Sequence, residues 1–105
     1  MRARLEIRDG RGDTRVYEIP EGGSLTIGRS SANDIKVADK GVSREHCRVE
    51  HDGTYFWLID RGSHNGTFLN GEEVRNSLLY DGDVIRIGHS EMVFSAPQEE
   101  AETAA

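Results

Sequence analysis

Apolar side chains in this chain recur at every second position, and nowhere long enough at the three-and-four spacing that an amphipathic helix needs. Ala3, Leu5 and Ile7 alternate with Arg4, Glu6 and Arg8, so a first strand has one apolar face and one solvated face. Tyr17 and Ile19, Leu25 and Ile27, Ile35 and Val37, and Cys47 and Val49 repeat the pattern in shorter pieces. Ile85 and Ile87 flank Arg86, and Met92-Val93-Phe94 closes the series. Tyr55-Phe56-Trp57-Leu58-Ile59 is a continuous apolar run and reads as a central strand buried on both faces. Asp9-Gly10, Glu21-Gly22-Gly23, Asp52-Gly53, Asn70-Gly71 and Asp81-Gly82 separate these runs, and such pairs tolerate the positive φ of tight turns. Asn70-Gly71, between Thr67-Phe68-Leu69 and Val74, predicts a hairpin. About ten to eleven short strands with frequent turns predict an all-β fold, a sandwich of two sheets.

At 105 residues the chain is one domain with one core. Its formal net charge of −6 argues against a nucleic-acid surface built on bulk charge. Glu99, Glu100 and Glu102 supply part of that charge, and the stretch from Pro97 to Ala105 has no apolar face. The reading is therefore a folded domain over 1–96 and a disordered acidic tail or linker start over 97–105. No apolar run has the length of a membrane span, and Met1 leads into a strand rather than a signal peptide. Cys47 is alone, so no internal disulfide forms and a reducing, cytoplasmic setting is expected. One cysteine and four scattered histidines do not have the spacing of a zinc site, and no cofactor motif is present.

The chemistry is concentrated in three short runs between strands. They are Gly28-Arg29, then Ser43-Arg44-Glu45-His46 about fourteen residues later, then Ser63-His64-Asn65-Gly66-Thr67 about twenty further on. Together they supply cationic and hydroxyl donors on loop ends. A phosphorylated side chain, with close to two negative charges and three acceptor oxygens, requires such a set. Arginine serves it better than lysine because a planar fork donates two parallel bonds.

The ordered set, from about Arg4 to Phe94, resembles the forkhead-associated (FHA) domain. The resemblance implies a β-sandwich with its binding loops at one end and a function in reading phosphothreonine on partner proteins. It implies that Arg29 contacts phosphate, that Ser43 does so through its hydroxyl and backbone amide, and that Arg44 adds a backbone or side-chain contact. Gly28 and His46 are expected to support the site, the histidine packing beneath the loop and fixing the serine's backbone. Asn65 is expected to hydrogen-bond the ligand's backbone, with Gly66 and Thr67 architectural. Two positions depart from the family. His64 stands where a threonine or serine commonly touches phosphate, leaving a backbone amide or a protonated imidazole for that contact. Arg61 follows Asp60 where a leucine is common. Asp60 is read as a loop anchor, and Lys36 and Lys40 as surface charges. Threonine is implied over serine because its extra methyl packs against the pocket.

Other functions fit less well. A hydrolase triad of Ser43, His46 and Asp60 lacks the second glycine of a nucleophile elbow and the helix that follows one. The chain is not read as an enzyme. An FHA-like scaffold binding an unphosphorylated partner, or the regulatory domain of a larger, truncated protein, is the alternative. Thr103 is the tail's hydroxyl, and a short reach makes self-binding through it a poor reading. The expected partner is a phosphothreonine-containing protein, the substrate of a Ser/Thr kinase, bound by a monomer. Three or four charge-assisted bonds of roughly 1.5–3 kcal/mol each, less the cost of ordering a peptide, imply reversible binding of about micromolar strength.

Overall fold

The computed structural model describes residues 3–96, and every regular element within them is a strand. In chain order these are β1 (Ala3–Arg8), β2 (Thr14–Ile19), β3 (Ser24–Gly28), β4 (Ile35–Lys36), β5 (Cys47–His51) and β6 (Phe56–Asp60). Then come β7 (Thr67–Leu69), β8 (Glu72–Val74), β9 (Asn76–Leu79), β10 (Val84–Ile87) and β11 (Ser90–Ser95). One sheet has the order β2-β1-β11-β10-β7-β8 and the other β4-β3-β5-β6-β9. The all-β sandwich predicted from the alternation is therefore the fold. The acidic stretch 97–105, with Thr103, lies outside the described residues.

The core follows from the period-two pattern. Ala3, Leu5 and Ile7 of β1 are buried while Arg4, Glu6 and Arg8 are exposed. Ile85, Ile87, Met92 and Phe94 extend that inner face, and Ile27, Ile35, Val49 and Leu58 meet it from the second sheet. Phe56 reaches across to Phe94 at a ring separation of 5.1 Å. Each such side chain, once fully buried, contributes about 1.5–3 kcal/mol.

The hairpin predicted at Asn70-Gly71 is present, with Thr67 opposite Val74 and Leu69 opposite Glu72. Both turn residues are left-handed, Asn70 at φ 51° and Gly71 at 90°, the geometry a two-residue hairpin turn demands. The apolar run 55–59 differs from its reading. Phe56 and Leu58 enter the core, but Tyr55 is exposed and Trp57 and Ile59 are only half-buried. Strand β6 thus has one buried face, because a two-layer sandwich has nothing to cover the outer one. The Trp57 indole N–H instead donates to Asp52 Oδ2 at 2.9 Å.

Aspartates hold the turns. Asp52 accepts from the amides of Thr54 and Tyr55, and Asp9 from those of Arg11 and Asp13. Much of the acidic excess is therefore spent on backbone N–H groups. No helix among the described residues is long and apolar enough to cross a membrane.

Candidate functional site

Three loops, 29–34, 37–46 and 61–66, lie at one end of the sandwich, and hydrogen bonds join them into one unit. The pairing of β3 with β5 continues past the strands: His46 N donates to Ile27 O, Arg29 N to Ser43 O at 2.9 Å and Ser30 N to Arg44 O. Gly28 sits inside this zipper. A Cβ there would lie 2.1 Å from Arg44 O and 2.8 Å from Asn33 Nδ2, so only glycine lets the two backbones approach.

His46 is fully buried beneath the loops. Its Nδ1 accepts the Ser43 amide at 3.0 Å, and its Nε2 lies 2.9 Å from Gly66 O. An amide can only donate and a carbonyl only accept, so the ring serves both as the neutral Nε2–H tautomer. One side chain thus ties the second loop to the third. His64 N donates to Ser43 Oγ at 2.9 Å, and Asn65 Nδ2 donates to Gly41 O at 3.0 Å.

Asp60 anchors the third loop from below. Its Oδ1 accepts from Ser63 Oγ at 2.5 Å and Thr67 Oγ1 at 2.6 Å, and its Oδ2 from the amides of Gly62 and Ser63. Asp39 does the same for the second loop, accepting from Gly41 N, His89 N and Ser90 Oγ. Burial pushes both carboxyls upward, but these hydrogen bonds outweigh it and hold both below the ordinary carboxylate range. At Asp52 the bonds from the Tyr55 amide, the Trp57 indole and the Thr54 amide draw the carboxyl down to about 2. Depressed carboxyls contribute stability that is complete above their unfolded value of 3.8 and is lost as pH falls through the folded values. The carboxyls' contribution to the melting temperature should therefore be constant from neutral pH to about 5 and be lost below about 4. In Asp60→Asn the neutral-pH melt should fall and the acid decline should become shallower; an unchanged acid limb would remove Asp60 from this account.

These anchors frame an open hollow of about 190 Å³ lined by Arg29, Lys40, Gly41, Val42, Ser43, His64 and Asn65. No carboxylate among the described residues lines it. Arg29 is exposed, with its Nε donating to Val42 O at 3.0 Å and no other side-chain partner among the described residues. Ser43 Oγ accepts from His64 N and keeps its own proton to donate. Of the backbone donors expected from the resemblance, the Ser43 amide donates to His46 Nδ1 and the His64 amide to Ser43 Oγ. The imidazole is the other donor at His64. Arg44 is exposed but does not line the hollow; its carbonyl serves Ser30 N and Asn33 Nδ2. Gly66 has φ 93°, and a Cβ there would meet Glu73 Oε2 at 2.8 Å. Arg61 is exposed beside a neighbouring hollow with Asn33 and Glu45.

Lys40, read from sequence as an ordinary surface charge, is exposed and also lines this hollow. The usable signal for the latter was its position three residues before Ser43, on a loop already assigned to the site. The hydrolase triad is not assembled, since His46 bonds the backbone of Ser43 rather than its hydroxyl and both its nitrogens are engaged away from Asp60. Cys47 is buried, and burial together with the nearby Asp60 charge pushes its thiol far above the usual range.

The FHA domain family model matches residues 25–88. The chain is 43% identical to the FHA domain-containing protein FhaA of Mycobacterium tuberculosis over 89 residues, which are 85% of this chain and 16% of that protein. It is 40% identical over 71 residues to the glycogen accumulation regulator GarA of Mycolicibacterium smegmatis, covering 68% of this chain and 45% of that one. The chain therefore spans less than half the length of either relative. Among solved structures, an FHA domain from work on phosphothreonine-dependent FHA interactions aligns with a TM-score of 0.83 at 40% identity, covering 92% of this chain and 98% of that one. The FHA domain of FhaA, complexed with the intracellular domain of Rv3910, aligns at 0.78 and 42% identity, covering 88% and 98%. With its fold, its loop constellation and these matches in agreement, this chain belongs to the FHA domain family.

Proposed function

We propose that this domain binds phosphothreonine on a partner protein modified by a Ser/Thr kinase, and that it acts as an interaction and regulatory module rather than as an enzyme. The observation that carries this reading is the hollow, free of carboxylates among the described residues, in which Arg29, Lys40, Ser43 and His64 converge on loops locked from below by His46. Donors fixed before the ligand arrives lose little entropy on binding, so a dianion gains most of their charge-assisted strength. In this reading Arg29 and the Ser43 hydroxyl hold the phosphate, Lys40 and the His64 imidazole add charge, and Asn65 offers its carbonyl oxygen to the ligand backbone. Gly28, His46, Gly66 and Thr67 support the loops. Arg44 acts through its carbonyl in building the loop, with its guanidinium adding long-range charge. The module is monomeric, works in the cytoplasm, and comprises residues 1–96 with 97–105 as a tail or linker. FHA domains studied for phosphothreonine-dependent interactions, and a relative complexed with another protein's domain, support the assignment.

Calorimetric titration with one peptide in threonine, phosphoserine and phosphothreonine forms tests it. The peptide comes from a degenerate phosphothreonine library selected on the domain. Saturable binding of the phosphothreonine form near micromolar strength, with the threonine form silent, is the expected result. Equal binding of all three forms, or enrichment of nothing, would replace it with a scaffold that binds unphosphorylated protein.

A further inference from the structure

A second hollow, of about 490 Å³, opens between the β1–β2 turn and β4, lined in part by Arg11, Arg15, Lys36 and Ala38. The segment that joins it to the phosphate hollow leaves β4 through a tight turn, Asp39 N donating to Val37 O, and enters a second turn in which Val42 N donates to Asp39 O. Ile35, Val37 and Asp39 point inward and are buried, while Lys36, Ala38 and Lys40 are exposed. Lys36 and Lys40 are thus both outward, with only the small, exposed Ala38 between them. Lys36 lines the second hollow and Lys40 the first.

The cations of the second hollow are available. Arg15 is pinned by Nη2 donating to Lys36 O at 2.6 Å and by its position over the Tyr17 ring at 5.7 Å, which leaves its remaining N–H groups without hydrogen bonds among the described residues. Arg11 and the Lys36 ammonium have no ion-pair partner there. Two acids share the hollow. Asp9 is buried and spends Oδ1 on the amides of Arg11 and Asp13, so Asp13 is the one exposed carboxylate opposing an anion.

From this juxtaposition we infer that Lys40, Lys36, Arg15 and Arg11 form a basic track leading out of the phosphate hollow, which selects phosphothreonine ligands carrying a second phosphorylated residue. The inference rests on the phosphothreonine reading and names a ligand class within it. Lys36 and Lys40 are four residues apart, and the turns between them keep their separation below the fully extended limit of about 13 Å at about 3.3 Å per residue. An extended ligand spans that distance in at most four residues, which bounds the spacing between its two phosphates.

The test uses degenerate peptide pools with one fixed phosphothreonine, alone or with a phosphoserine fixed two, three or four residues to either side. Affinities are measured for the native chain and for Lys36→Glu, an exposed position whose side chain makes no hydrogen bond among the described residues. On one side of the phosphothreonine, the doubly phosphorylated pool should bind about tenfold more tightly at low salt, with the advantage shrinking at high salt. Lys36→Glu should erase that advantage and change singly phosphorylated binding by no more than about twofold. No gain at any spacing, or a gain that survives in Lys36→Glu, would overturn the track while leaving the phosphothreonine reading intact. Failure of the singly and doubly phosphorylated pools alike would overturn both.

Discussion

Arg29→Ala should cost at least about a hundredfold in phosphothreonine-peptide affinity while the domain stays folded. A guanidinium fork on a dianion supplies charge-assisted bonds of roughly 1.5–3 kcal/mol each, and two of them convert to that factor or more. The folded state loses little, because the side chain is exposed and its one internal bond, Nε to Val42 O, is a single partly buried contact of about 1 kcal/mol. Titration and a thermal melt of the same variant separate the two effects. Arg29→Lys refines the point: it keeps the charge and loses the fork, so it should recover only part of the affinity. Unchanged binding by a folded Arg29→Ala variant would remove the phosphate from this hollow.

His46→Ala should behave in the opposite order, damaging stability first and binding through it. The ring is fully buried, so truncation leaves a void, and it also strips partners from the Ser43 amide and the Gly66 carbonyl. A void plus two unsatisfied backbone groups amounts to roughly 3–4 kcal/mol. For a domain of this size that is a melting temperature lower by about 15 °C or more. Loops that lose their common strut no longer present Arg29, Ser43 and His64 together, so affinity falls even where the variant is fully folded. A melt matching the native chain, with affinity alone reduced, would make His46 a ligand contact rather than a strut.

The two variants differ because the site has two layers. An upper layer of exposed donors faces the ligand and contributes little to folding. A lower layer of His46, Asp39 and Asp60 satisfies the loops' backbone groups, and Gly28 lets the loops approach there. The lower layer also explains how an acidic chain maintains a basic site. Asp39 and Asp60 are turned inward onto amides and hydroxyls, so their charge is compensated locally and stays out of the hollow.

Much of this was legible in the residues. The alternation of Ala3, Leu5 and Ile7 with charged neighbours fixes which face of β1 is buried, because side-chain direction in a strand depends only on parity. Asn70-Gly71 determines its own hairpin, since few residue pairs take two left-handed conformations in a row at low cost. The loop residues Arg29, Ser43, His64 and Asn65 could be chosen from their order along the chain, and the fold brings them to one hollow.

What the sequence could not settle was decided by contacts between distant segments. His46 meets Gly66 across 20 residues, and His64 meets Ser43 across 21. His46 and Ser43 also accept from the two amides that a motif-based reading would give to the phosphate. The same packing admits Lys40 to the hollow's lining and leaves the outer face of Trp57 and Ile59 uncovered. Strand parity and turn chemistry are local properties, so composition and order along the chain determine them. Each backbone N–H, by contrast, donates to one partner at a time, and which partner it finds depends on where the whole chain has folded.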